Sequence, residues 1–239
     1  MPKKIDKATS RAKPRPRKPS PKLQLRATQI YQEFERLYPD AHCALTYDTP
    51  FQLLIATILS AQCTDVRVNM VTPVLFKKYK TPKALANASQ ESIEEIVRST
   101  GFYRNKAKSI KGASMRIVEH YQGKVPQEMA DLLTLPGVAR KTANVVLGNA
   151  FGKNIGVVVD THIGRLSQRM GLTKFADPKR IEQDLMRLFP HEQWTLLAHL
   201  FIFHGRQICS ARKPLCDACT LSQICDKRGV KLAKPNPPA

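Results

Sequence analysis

No stretch of the sequence approaches the roughly 18 consecutive apolar residues that a membrane-spanning helix needs, and no apolar segment follows its basic N-terminus as a secretory signal would require. A soluble protein that stays inside its cell is the expectation. Acidic residues are scarce too: 19 Asp and Glu stand against 39 Lys and Arg, a net charge of +20. Such a field attracts polyanions, of which nucleic acid is the commonest in cells, although charge alone fits anionic membrane surfaces as well. Strand signals are nearly missing, since only Val157-Val158-Val159 looks strand-like and three residues make no sheet. There is no internal repeat that would suggest a solenoid. What remains is 239 residues, 42% of them apolar, enough for one compact domain or two small ones with a sizeable core.

Residues 1 to 22 hold nine basic side chains, one acid (Asp6) and five prolines, with almost nothing apolar to offset the entropy of ordering them. This segment reads as a disordered basic arm, either a solubilising tail or an auxiliary contact to DNA phosphates. From residue 23 the pattern is helical nearly throughout. Thr49-Pro50, Thr81-Pro82 and Asp177-Pro178 each place a capping oxygen before a proline at the first helical position, and Ser89 with Glu91 opens another helix. Apolar spacings of three and four over 65 to 79, 103 to 121, 178 to 189 and 191 to 208 complete an all-α class of about ten short helices.

Four of the six cysteines, Cys209, Cys216, Cys219 and Cys225, fall within 17 residues in the spacing C-x6-C-x2-C-x5-C. In a reducing compartment such clustering signals metal ligation rather than disulfides, and four thiolates suit either tetrahedral zinc or an iron-sulfur cluster. The spacing alone leaves both open. Cys43 and Cys63, beside apolar stretches, read as core residues.

Between two apolar helical patterns lies Leu135-Pro136-Gly137-Val138-Ala139-Arg140-Lys141. A Pro-Gly turn joining two short helices sends the next backbone amides outward at the positive end of the new helix, where they can cradle a phosphate, and Arg140 and Lys141 add charge there. An ordinary surface turn is the alternative. The coincidence with basic residues favours the phosphate site.

Four blocks together resemble the bacterial endonuclease III family, DNA glycosylases and abasic-site lyases of the helix-hairpin-helix superfamily. They are Leu59-Ser60-Ala61-Gln62-Cys63-Thr64-Asp65, Gly101-Phe102-Tyr103-Arg104-Asn105-Lys106-Ala107, the hairpin from 135 to 146 followed by Val159-Asp160-Thr161-His162-Ile163, and the cysteine pattern. The resemblance covers residues 23 to about 228. It implies a six-helix barrel over 43–153, an iron-sulfur domain assembled from 23–42 and 154–230, a flexible tail over 231–239, and a cleft between the two domains. It also implies that Cys209, Cys216, Cys219 and Cys225 hold a 4Fe-4S cluster, and that the partner is double-stranded DNA carrying damaged bases or abasic sites, bound by a monomer.

By the same resemblance Lys141 is the nucleophile and Asp160 the catalytic carboxylate, in an enzyme that removes oxidised pyrimidines and cleaves abasic sites by β-elimination. A lysine amine attacks C1′ only when unprotonated, and partial burial and a helix N-terminus both favour that form. Taken alone, Lys141 would read as a phosphate contact and Asp160 as a helix N-cap. Gln62 is implied to fill the hole left by an extruded nucleotide, and Phe102 to wedge into the opposite strand, where the family often has Leu. By itself Phe102 would read as a core anchor. The hairpin backbone from Gly137 through Val138 and Ala139 to Arg140 completes the DNA contacts; Ala139 stands where the family often has Gly.

Two rivals share the scaffold. Adenine glycosylases typically lack the hairpin lysine and carry a further C-terminal domain, whereas this chain has Lys141 and runs 14 residues beyond Cys225. Thymine-mismatch glycosylases differ in pocket residues. A non-catalytic iron-sulfur DNA-binding protein would account for charge and cysteines but leave Lys141 and Asp160 unexplained.

Overall fold

The computed structural model describes residues 18–231. Residues 1–17 of the basic arm and 232–239 of the tail lie outside this range. The described residues are all-helical: α1 (Pro21–Leu37), α2 (Pro50–Leu59), α3 (Asp65–Lys78), α4 (Pro82–Ala86), α5 (Gln90–Val97), a 3-10 turn Arg98–Thr100, α6 (Tyr103–Tyr121), α7 (Met129–Leu132), α8 (Arg140–Phe151), α9 (Thr161–Arg169), α10 (Pro178–Leu188), a second 3-10 turn His191–Gln193 and α11 (Trp194–Gln207). Val157-Val158-Val159 forms no ladder among the described residues.

Capping decides where most of these helices begin. Thr49, Thr81, Ser89 and Asp177 each accept a hydrogen bond from the backbone N–H three residues on, as their sequence context predicts. Ser20 does the same for Leu23, with Pro21 at the first helical position. Helix α1 therefore starts inside the segment 1–22 that composition assigns to the disordered arm. The reason is local: Ser20-Pro21 is the same cap and proline device, and four apolar residues of α1 (Ala27, Ile30, Tyr31, Phe34) are buried.

Two hydrophobic cores form. The first is built by α2 to α8 around α2, whose residues from Phe51 to Leu59 are all buried except Gln52, as a helix surrounded by others must be. The second is built by α1, α9, α10 and α11, with Phe34 and Phe201 meeting edge to face at 5.3 Å. The chain crosses between the cores twice, after α1 and after α8, so the seam is bridged by side chains as well as backbone. The His199 ring nitrogen Nε2 on α11 lies 2.7 Å from Asn149 Oδ1 on α8, and Tyr47 steadies Asn149 from the first core by donating to its carbonyl at 3.0 Å.

Burial at this seam, with His42 adding to it, pushes His199 down to about 4. An unfolded imidazole titrates near 6.5, so between those values the folded state binds fewer protons than the unfolded one and stability drops as pH is lowered. We expect His199 to contribute stability that is complete above about pH 6.5 and declines toward pH 4, by up to about 3 kcal/mol at about 1.4 kcal/mol per unit. Urea midpoints measured across that window should fall less steeply for His199→Gln than for wild type. Equal slopes would contradict the assignment.

Candidate functional site

The hairpin between α7 and α8 is anchored by Leu132, Leu135 and Val138, all buried. The backbone reverses at Gly137, whose φ is +78°, and a Cβ there would come within 2.7 Å of Ser109 Cβ on α6 and 3.3 Å of Ile58 Cγ2 on α2. Glycine is thus required both by backbone conformation and by close packing. The Val138 side chain faces the core, which leaves its backbone for the contact expected of the hairpin. Helix α8 then starts at Arg140 behind Ala139, which offers no side-chain oxygen, so the N–H groups of its first turn have no side-chain cap. Pro136, Gly137, Ala139, Arg140 and Lys141 are exposed around this open helix end. The partial burial expected of Lys141 is therefore not present.

Arg140 is not free to reach outward. Its Nε and Nη2 donate to the two carboxylate oxygens of Glu182 at 2.9 Å each, and Asn144 Nδ2 donates to the same carboxylate at 3.1 Å. Glu182 lies on α10 in the second core and is buried; with Glu182 beside it, Arg140 is held above even its ordinary high pKa. The strand of chain leading to Asp160 passes directly over this clamp. A Cβ on Gly156 would collide with Glu182, Asn144 and Arg140, so glycine alone fits and the backbone lies against the root of α8. Asp160 follows four residues later as the N-cap of α9, its Oδ1 accepting from His162 N at 2.8 Å and Ile163 N at 2.9 Å. Oδ2 has no hydrogen bond among the described residues.

Two exposed tips are held in left-handed backbone conformations that side chains other than glycine rarely adopt: Gln62 at φ 53° and Phe102 at φ 47°. Each costs about 1 kcal/mol or more. Phe102 is 66% exposed, which rules out the core-anchor reading. The turn Arg98–Thr100 that precedes it packs against α3, the helix that follows Gln62.

Several functional-site neighbours escape sequence reasoning. Arg206 on α11 pairs with Asp65 at 2.6 Å, tying the Gln62 loop to the second core. On α9, Arg165 Nη2 donates to the Cys209 carbonyl at 2.9 Å, and Arg169 donates to the carbonyls of Ser210 and Ala211 at 2.7 Å each and to Cys209 Sγ at 3.3 Å. The i, i+4 spacing of the two arginines is their only sequence signal. Cys209, Cys216, Cys219 and Cys225 line one small cavity with His204, Leu215 and Leu221. Lys227 N donates to Cys225 Sγ at 3.4 Å and His204 Nε2 lies 3.6 Å from Cys219 Sγ. Burial, then the charge of the neighbouring thiols, pushes Cys219 and Cys225 up, so four thiolates can share this cavity only around a cation. Among the described residues no three His, Cys, Asp or Glu side chains converge as tightly as a single ion requires. Cys43 and Cys63 are only partly buried at the margin of the first core.

The model of the HhH-GPD superfamily base excision DNA repair protein matches residues 55–191, spanning the Gln62 loop, the hairpin and Asp160. Endonuclease III of Synechocystis sp. is 60% identical over 200 residues, covering 84% of this chain and 91% of that protein. The chain belongs to the endonuclease III family of HhH-GPD base excision DNA repair proteins. A solved structure of a trapped endonuclease III–DNA covalent intermediate superposes with a TM-score of 0.82 at 42% identity, over 85% of this chain and 96% of that one. A thermostable thymine-DNA glycosylase reaches 0.74 over 86% and 96%, but at 23% identity this likeness shows the fold alone.

The clamp under the hairpin is directly testable. Glu182→Ala leaves Arg140 and Asn144 without their shared acceptor, and we expect a loss of about 1–3 kcal/mol, the usual range for a charged hydrogen-bonded group left unpaired. The denaturant midpoint should fall with an unchanged m-value; an unmoved midpoint would show that the clamp holds nothing.

Proposed function

We propose that the chain excises oxidised pyrimidines from double-stranded DNA and cleaves the abasic product, both through the amine of Lys141. The observation that carries the reading is the exposed lysine on an uncapped helix N-terminus, beside the Gly156 crossing that leads to the Asp160 carboxylate. Open amides of the hairpin suit a DNA phosphate. Arg140 is engaged by Glu182, so the phosphate contact falls to the backbone from Gly137 to Arg140 rather than to that guanidinium. The substrate nucleotide must leave the stack to expose C1′, and Gln62 and Phe102, held outward on strained tips, occupy the vacated space and the opposite strand. Bound DNA, rather than the protein interior, desolvates the amine.

The lysine nitrogen attacks C1′ and the base departs with the bonding electrons. The free oxygen of Asp160 faces the positive charge developing on the sugar and can take the proton lost by the amine. The C1′–O4′ bond then opens, O4′ taking a proton, to give the Schiff base; this acidifies C2′, and loss of that proton expels the 3′ phosphate. One amine thus accounts for excision and strand scission.

The four cysteines suit a 4Fe-4S cluster, whose positive core would offset the thiolate charge in the cavity they line. Bound there, a cluster supplies a crosslink for the C-terminal segment, with Arg165 and Arg169 orienting the backbone that carries Cys209.

Borohydride added during turnover should trap wild type on DNA, and Lys141→Gln should lose trapping and scission together while still binding abasic duplex. Asp160→Asn should slow excision by about 10²- to 10⁴-fold yet trap slowly at abasic sites, where no base must leave. Undiminished trapping by the glutamine variant would move the nucleophile elsewhere. Elemental analysis of protein purified without air should return about four iron per chain. One zinc and no iron would overturn the cluster.

A further inference from the structure

Lys106 is the only lysine among the described residues whose side chain is buried. It lies on the inner face of α6 in line with Ile110, Ala113 and Ile117, a place that leucine or methionine would fill without the cost of desolvating an ammonium. Burial pushes its pKa down, and the nearby Cys63 thiol opposes that shift. What the ammonium does there is specific: Nζ donates to the Thr100 carbonyl at 2.6 Å, while the Lys106 N–H donates to the Phe102 carbonyl at 3.1 Å. Side chain and backbone of one residue thus grip both ends of the segment Thr100-Gly101-Phe102. That segment contains two successive left-handed residues, Gly101 at φ +71° and Phe102 at +47°, and α6 begins with no side-chain cap to fix it otherwise. Cys63, near enough to act on the charge of the same ammonium, adjoins Gln62 on the other tip.

We propose that Lys106 is a positioning residue that fixes the Phe102 tip, and with it the paired Gln62 tip, in the conformation needed to open the duplex. The proposal rests on the reading of Phe102 as the wedge. Its ammonium is turned into the protein, which also removes Lys106 as a rival nucleophile. Without the bond to Thr100, the strained tip relaxes and the wedge is misplaced. The cost then appears in extruding a stacked base, more than in attack at a site that is already abasic.

The test is a double-mutant cycle on the full chain with its metal site loaded, using Lys106→Met, Phe102→Ala and the pair, read as single-turnover excision from a duplex with one thymine glycol. Each single variant should slow excision by about 10- to 100-fold, the scale of a small misplacement at a reacting centre. The double variant should be no slower than Phe102→Ala alone, and the Lys106→Met loss should be smaller on an abasic duplex. Amide exchange should accelerate over residues 98–106 in Lys106→Met while residues 51–59 keep wild-type protection, and Lys106→Arg, which keeps the cation, should restore part of both protection and rate. Fully additive losses, or equal loosening of both segments, would overturn the inference and leave Lys106 a general stabiliser. A Phe102→Ala variant with wild-type excision would instead refute the wedge, and with it what Lys106 is proposed to position. Wild type that leaves thymine glycol intact but cleaves abasic DNA would refute the substrate reading.

Discussion

The carboxylate of Glu182, buried on α10 in the second core, accepts from Arg140 and Asn144 on α8 in the first. Those two residues are four apart and share a face of the helix, so together they fix its rotation about its own axis. Lys141 is then turned about 100° from the clamp, by the geometry of 3.6 residues per turn, and points to solvent. The same carboxylate sits under Gly156, which sets the path of the chain toward Asp160. Amine and carboxylate are therefore oriented by one buried acid that touches neither, and the site exists only where the two cores meet.

Local stabilisation is distributed unevenly along the chain. Ser20, Thr49, Thr64, Thr81, Ser89 and Asp177 cap helices away from the hairpin, each such cap contributing about 1 kcal/mol. Helices α6 and α8 start without one, behind Phe102 and Ala139, as do α7 and α11. Positive φ at non-glycine positions includes Gln62 and Phe102, both exposed at tips. The open start of α8 and these two strained tips lie on the surface where DNA is proposed to bind, and the capped helices and two cores carry their cost.

Helix starts were legible wherever capping oxygen and proline coincide, and the hairpin was legible because Pro-Gly followed by Arg-Lys is local information. Ser20-Pro21 carried the same signal but was masked by the basic, proline-rich composition around it. Phe102 illustrates a harder limit: an aromatic residue beside glycine has the same identity whether it anchors a core or protrudes, and only the backbone at φ 47° decides. Glu182 was illegible in principle, since nothing in an amphipathic stretch from 178 to 188 indicates a partner 42 residues earlier. The four cysteines announced a metal site by spacing, while the arginines of α9 that hold their backbone gave no comparable sign.

The central claim is that one amine at the open end of α8 bonds to the sugar. Wild-type protein reduced with borohydride on an abasic duplex, digested with nuclease and protease and mapped by mass spectrometry, locates that bond without any substitution. The account predicts the deoxyribose remnant on Lys141, with tryptic cleavage blocked at that residue. A remnant on Lys106, on another lysine or on the N-terminal amine would contradict it.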